Sequence, residues 1–287
     1  MVTKPSVVSG SELLQLKYLP PLSMTASRLL GAVADPEVEI QTVVDIISQD
    51  PGLTGRIVGM ANSAYFGQVN PIYSVHDAII RVLGLNLVKS LALGIAINGA
   101  FRADRCPGFD LHDYWFRSIS CAILARMLAV AIRAEERPDP DSVYLCGLLF
   151  NIGDLLLAHL YPKEFSRVLT ILRTTPGLDP VVLQQEQLGI DGVAAGEWLA
   201  RRWHLPETVV QVIGSQAAAE CDPANCAHAE LVMGVSAWLG RPPGSCGLAQ
   251  EEALQRIAGL GESSLQAAEA NYSEQCQELE ALSELLS

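Results

Sequence analysis

The sequence predicts an all-α protein on three observations. Helix-start signals recur along the chain, apolar residues fall at three- and four-residue spacing, and period-two strand patterns are few. Composition agrees. Of 287 residues, 49% are hydrophobic and 6% aromatic, with Ala and Leu abundant, which supplies a large core but little strand-forming material.

Residues 1–12 are expected to be a flexible N-terminus. Asp35-Pro36 and Asp50-Pro51 each place an N-cap acceptor before a proline suited to the first helical position, and Asp179-Pro180 and Pro206-Glu207 repeat the signal. Ser74, with Asp77 three residues on, starts a capping-box-like helix, and Gly84 marks its stop. Val43, Ile46, Ile47, Leu53, Ile57, Val58 and Met60 suit two short amphipathic helices broken at Asp50-Pro51. Leu87 to Ile97 and Leu145 to Leu160 are apolar on nearly every side, which predicts helices in the middle of a helical protein. Asn225 to Leu239 gives another amphipathic helix, and Arg241-Pro242-Pro243-Gly244 a clear break. The last stretch spaces Leu265, Ala268, Tyr272, Leu279, Leu282 and Leu286 on one stripe, with Gln275 in its polar position. Such a stripe packs on the main body or forms a short coiled coil.

The net charge of −13 disfavours nucleic-acid binding, since an acidic surface repels phosphate backbones. Over half of it lies in Leu248 to Ser287, where eight glutamates face one arginine for a net −7. That segment is a solvated helical face or an interaction tail. No uninterrupted apolar run approaches the roughly 18–20 residues of a membrane span, because Arg126, Asn151 and Asp154 break the candidates. No basic region precedes an apolar one at the N-terminus, so the chain is expected to be cytoplasmic. Seven scattered cysteines predict free thiols, most of them buried. Cys221, Cys226 and His228 have no common zinc spacing.

Two sets of blocks carry a family resemblance. The first is Leu19-Pro20-Pro21-Leu22, Ile46 to Thr54, Met60-Ala61-Asn62-Ser63-Ala64-Tyr65-Phe66-Gly67, Ser74 to Ile79 and Leu83-Gly84-Leu85. The second is Gly147-Leu148-Leu149-Phe150-Asn151-Ile152-Gly153-Asp154-Leu155, Glu186, Leu188 to Asp191, Gly196 and Trp203 to Glu207. Together they resemble the HDOD family across about Leu13 to Gln216. The resemblance implies an HD-like helical core with an N-terminal helical lobe, forming one body. It divides the chain into a domain at 13–216 and a helical C-terminal extension at 217–287, packed on the core.

HDOD domains resemble HD phosphohydrolases, whose His residues and His-Asp pair hold a divalent metal that activates water. The resemblance puts ligand positions at Arg117, at Phe150-Asn151, at Gly192 and near Gln216, and none is a histidine. Phe150 and Gly192 offer no side-chain ligand, Arg117 is a permanent cation, and Asn151 and Gln216 are neutral amides. No metal or other cofactor and no catalysis are therefore expected. Arg117, Asn151 and Asp154 remain as a vestigial pocket, read either as a satisfied polar cluster or as a small-ligand site, with Asn151 and Asp154 on one face of one helix. The implied function is a non-catalytic signalling module. Its partners would be kinase, receiver or cyclic-di-GMP proteins acting in trans, with a homodimer left open. The alternatives are a metal-free sensor of a nucleotide or anion in the old pocket, and a residual phosphohydrolase.

Overall fold

Caps written in the sequence set half of the helix starts among the described residues. The structure, a computed structural model, describes residues 20–133, 137–175, 177–216, 226–240 and 260–286, and those residues form helices without a strand. The expected flexible stretch at 1–12, Cys221 and the Arg241 to Gly244 break lie outside them.

The N-terminal lobe holds α1 (Met24–Ala34), α2 (Ile40–Ser48), α3 (Pro51–Ala61) and α4 (Val75–Ala78), which runs into a π turn at Ile79–Leu83. Ser23, Asp50 and Ser74 cap α1, α3 and α4, each accepting a backbone N–H at 3.0 Å. Each such cap is worth about 1 kcal/mol. Asp35-Pro36 departs from expectation, because no helix begins at Pro36. The Asp35 carboxylate accepts from Glu37 N at 2.9 Å, a local turn that competes with helix, and α2 starts only at Ile40.

The core holds α5 (Leu85–Asn98), α6 (Leu111–Ala131), α7 (Pro140–Leu149), α8 (Ile152–Leu160), α9 (Pro162–Thr174), α10 (Pro180–Leu188), α11 (Gly192–Arg202) and α12 (Glu207–Ser215). α13 (Cys226–Leu239) and α14 (Glu262–Leu286) follow. Helix α5 is buried along almost its whole length, and the fully buried Trp115 of α6 lies against Gly94 of α5. At Gly147 of α7 the backbone of α6 comes so near that a Cβ would stand 2.8 Å from Ala122 Cα. Since α5 also packs on α1, lobe and core share one apolar interior.

Two stretches, Leu111–Ala131 and Pro140–Leu160, have the length and hydropathy of a membrane span, but 61% and 78% of them are buried against other helices. Their apolar character is explained by the interior they build.

Helix α14 lies along α6 and reaches α3 and the short 3-10 turn at Ala64–Phe66. Leu265, Ala268, Tyr272, Leu279, Leu282 and Leu286 are its buried stripe. His112 Nε2 and Ser283 Oγ pair at 2.9 Å across α6 and α14. The Leu286 carbonyl accepts from Asn98 Nδ2 at 3.1 Å and Arg56 Nη1 at 3.4 Å, so two other helices hold its C-terminal end. Cys106, Cys121, Cys146 and Cys226 are free thiols, whereas Cys276 of α14 is disulfide-bonded, a departure from the free-thiol expectation. Spacing along the chain does not reveal which sulfurs the fold brings together.

Candidate functional site

The apolar stretch from Leu145 to Leu160 is two helices rather than one. Helix α7 ends at Leu149, α8 begins at Ile152, and Phe150 and Asn151 form the turn between them. Asn151 therefore does not share a helical face with Asp154, as its spacing suggests; it is the N-cap of α8, with φ −95° and ψ 11°. Asn competes with helical backbone and settles at helix ends.

The break brings the singled-out residues together. Phe150, Asn151, Asp154, Gly192 and Gln216 line one cavity of about 220 Å³, together with Pro180, Val181, Gln184 and Val193. Arg117 is not among the lining residues. It pairs with Asp113 one turn earlier on α6, Nε to Oδ2 at 3.1 Å, although its charge still reaches Asp154.

A hydrogen-bonded chain crosses the cavity. Gln184 donates through Nε2 to Asp154 Oδ1 at 3.1 Å and accepts from Gly192 N at 2.7 Å through Oε1. Gln216 donates to the Phe150 carbonyl at 3.1 Å and so ties α12 to the α7–α8 turn. Sequence reasoning missed Gln184. Its signal is a polar residue one helical turn before Leu188, on the buried face that the Asp179 cap starts.

Gly192 fits because nothing larger does: a Cβ there would stand 2.5 Å from Asp154 Oδ1. Gly153 and Gly196 bring α8 and α11 into backbone contact, and a Cβ on Gly153 would run into the Gly192 carbonyl.

Burial pushes the Asp154 carboxyl up to about 6, against the opposing pull of Gln184 and then Arg117. The folded protein thus holds a proton here that the unfolded chain has already released. Stability from this group is present at low pH and lost as pH rises from about 4 through about 6, by roughly 3 kcal/mol at full effect. Asp154→Asn is expected to raise the melting temperature at pH 7.5 and change little at pH 4, because the amide keeps an acceptor for Gln184 without the buried charge. Equal shifts at both pH values would contradict this.

Chemically, the lining offers one carboxyl and three amides, with no cation. A divalent metal requires several deprotonated donors, so these residues do not fit one. Among the described residues no group of three or more His, Cys, Asp and Glu comes together. An anion in the cavity would face the Asp154 carboxylate; a hydrogen-bond donor suits it better.

The HDOD domain family model matches residues 19–219. A protein of Marinobacter aquaeolei VT8 named for signal transduction is 30% identical, with a TM-score of 0.79 over 93% of this chain and 60% of that one. An HDOD domain protein of Geobacter sulfurreducens is 25% identical, with a TM-score of 0.76 over 96% of each chain. A protein of Shewanella amazonensis SB2B named for phosphohydrolase activity is 25% identical, with a TM-score of 0.75 over 98% of this chain and 100% of that one. An uncharacterized protein of Treponema pallidum (strain Nichols) is 29% identical over 195 residues, which is 68% of this chain and 37% of that protein. This chain thus spans well under two thirds of that curated relative.

Proposed function

The chain belongs to the HDOD domain family, and from that premise we propose that it is a non-catalytic signalling module that works by binding other proteins. One observation carries the reading. The positions that would hold a metal in an HD enzyme are Phe150, Asn151, Gly192 and Gln216 around a buried, hydrogen-bonded Asp154. Such a set supplies neither a metal nor an activated water, and the metal supplies the hydrolytic chemistry. The signal-transduction name of the Marinobacter aquaeolei protein supports the same direction. The partners are a kinase, a receiver or a cyclic-di-GMP enzyme acting in trans.

The outer face of α14 is the docking element, with Glu269, Glu274 and Glu280 exposed. Affinity capture with light cross-linking, followed by mass spectrometry, tests the reading. One signalling protein recovered near stoichiometry is expected, and Glu269→Lys with Glu274→Lys and Glu280→Lys should weaken its capture several-fold at low salt. Recovery of the protein alone would overturn the reading.

The cavity itself favours a second reading, a metal-free sensor of a small hydrogen-bond donor. A concentration-dependent rise in melting temperature with such a ligand, absent in Asn151→Leu, would support it.

A further inference from the structure

The block Asn62-Ser63-Ala64-Tyr65-Phe66-Gly67 does two jobs. Asn62 is a clamp: its amide donates to the Val58 carbonyl at 3.0 Å and the Ile72 carbonyl at 2.8 Å, and its Oδ1 accepts from Ile72 N at 2.8 Å. Gly67, at φ 59°, ends the short helical turn. Neither task calls for aromatic rings at 65 and 66. Tyr65 and Phe66 stand edge to face with centroids 4.9 Å apart, on the wall of a second cavity of about 400 Å³.

This cavity shares no lining residue with the one at Asp154. Its deep surface is Met60, Leu91, Ile119 and Leu282, all buried, contributed by α3, α5, α6 and α14. One region is polar. Arg126 uses Nε and Nη2 on Asp141 Oδ1, at 3.1 and 2.9 Å, which leaves Nη1 without a hydrogen bond to a described residue. Tyr65, Tyr144 and Arg126 all line this cavity. Tyr144 is 3% exposed.

We propose that this cavity binds a single-chain amphiphile with a carboxylate head. The tail lies on Met60, Leu91, Ile119 and Leu282. The head accepts from Arg126 Nη1 and from the hydroxyls of Tyr65 and Tyr144. A single negative charge suits the site better than a phosphate dianion, because Asp141 already takes part of the Arg126 charge. The volume falls within the roughly 300–1,000 Å³ of small-molecule sites. A ligand seated here touches lobe, core and α14 together.

Decanoate and decanol, titrated calorimetrically into the full chain, test the proposal. Saturable one-to-one binding of decanoate is expected. Arg126→Gln and Tyr65→Phe should each weaken decanoate about tenfold, the worth of a hydrogen bond to a charged group, and leave decanol unchanged. Ile123→Trp, and separately Met127→Trp, should abolish binding of both probes by filling the cavity, with thermal melts confirming that each variant is folded. No saturable decanoate binding would overturn the proposal, as would binding that survives both tryptophans. Equal losses of decanoate and decanol in Arg126→Gln and Tyr65→Phe would overturn the carboxylate assignment.

Discussion

Gly153→Ala is expected to destabilise the protein by about 3 kcal/mol or more and to sharply reduce the yield of folded chain. The added methyl group would occupy the space of the Gly192 carbonyl and stand 2.7 Å from Gly196 N. These are backbone atoms in the first turns of α11, so no rotamer change relieves the clash, and α8 and α11 must separate. Overpacking ordinarily costs about 1–3 kcal/mol when side chains can adjust. Gly196→Ala is the internal comparison. Its methyl would meet Gly153 N and Ile213 Cγ2 at 3.1 Å, distances that a few tenths of an ångström relieve, and about 1 kcal/mol is expected. Denaturant melts of both variants measure the order. A Gly153→Ala protein as stable as the parent would show that the α8–α11 contact is looser than described.

Removing residues 262–287 is expected to leave a chain that aggregates or melts without a cooperative transition. Helix α14 covers α6 and part of the lobe with Leu265, Tyr272, Leu279, Leu282 and Leu286, so its loss uncovers apolar surface on both sides of that contact. A milder version isolates the packing: Leu279, 1% exposed, replaced by Ala, should cost roughly 3 kcal/mol. Circular dichroism melts and size-exclusion chromatography read both. A monomeric truncated protein melting within a few degrees of the full chain would make α14 an appendage. This bears on partner mapping. Loss of capture on deleting α14 would report the loss of the fold, so the charge reversals at Glu269, Glu274 and Glu280 are the informative variants.

Much of the architecture was legible because its signals are local. Asp50-Pro51, Ser74 and Asp179-Pro180 cap the helices that they announce, and the all-round apolar α5 lies in the interior. Local signals also misled where two local structures compete. Asp35 makes a turn instead of a cap, and Asn151 ends one helix and starts another, so the run from Leu145 to Leu160 is not continuous. The site was legible in part. Phe150, Asn151, Asp154, Gly192 and Gln216 do line one cavity, but Arg117 spends its guanidinium on Asp113 outside it. Gln184 meets Asp154 only because the fold brings α10 against α8, and no residue near either in sequence encodes that.

The hold on the Leu286 carbonyl has a consequence for how the chain is made. Its donors, Arg56 and Asn98, lie 230 and 188 residues earlier, and Leu285 sits over Gly59 of α3. Contacts of such long range slow folding, because a large loop must close before they form. At ribosomal rates of about 5–20 residues per second, the lobe emerges on the order of tens of seconds before its covering helix. Through that interval the Gly59 and Met60 side of the lobe lacks its native cover. Until α14 has emerged and folded onto it, that uncovered apolar surface is open to aggregation.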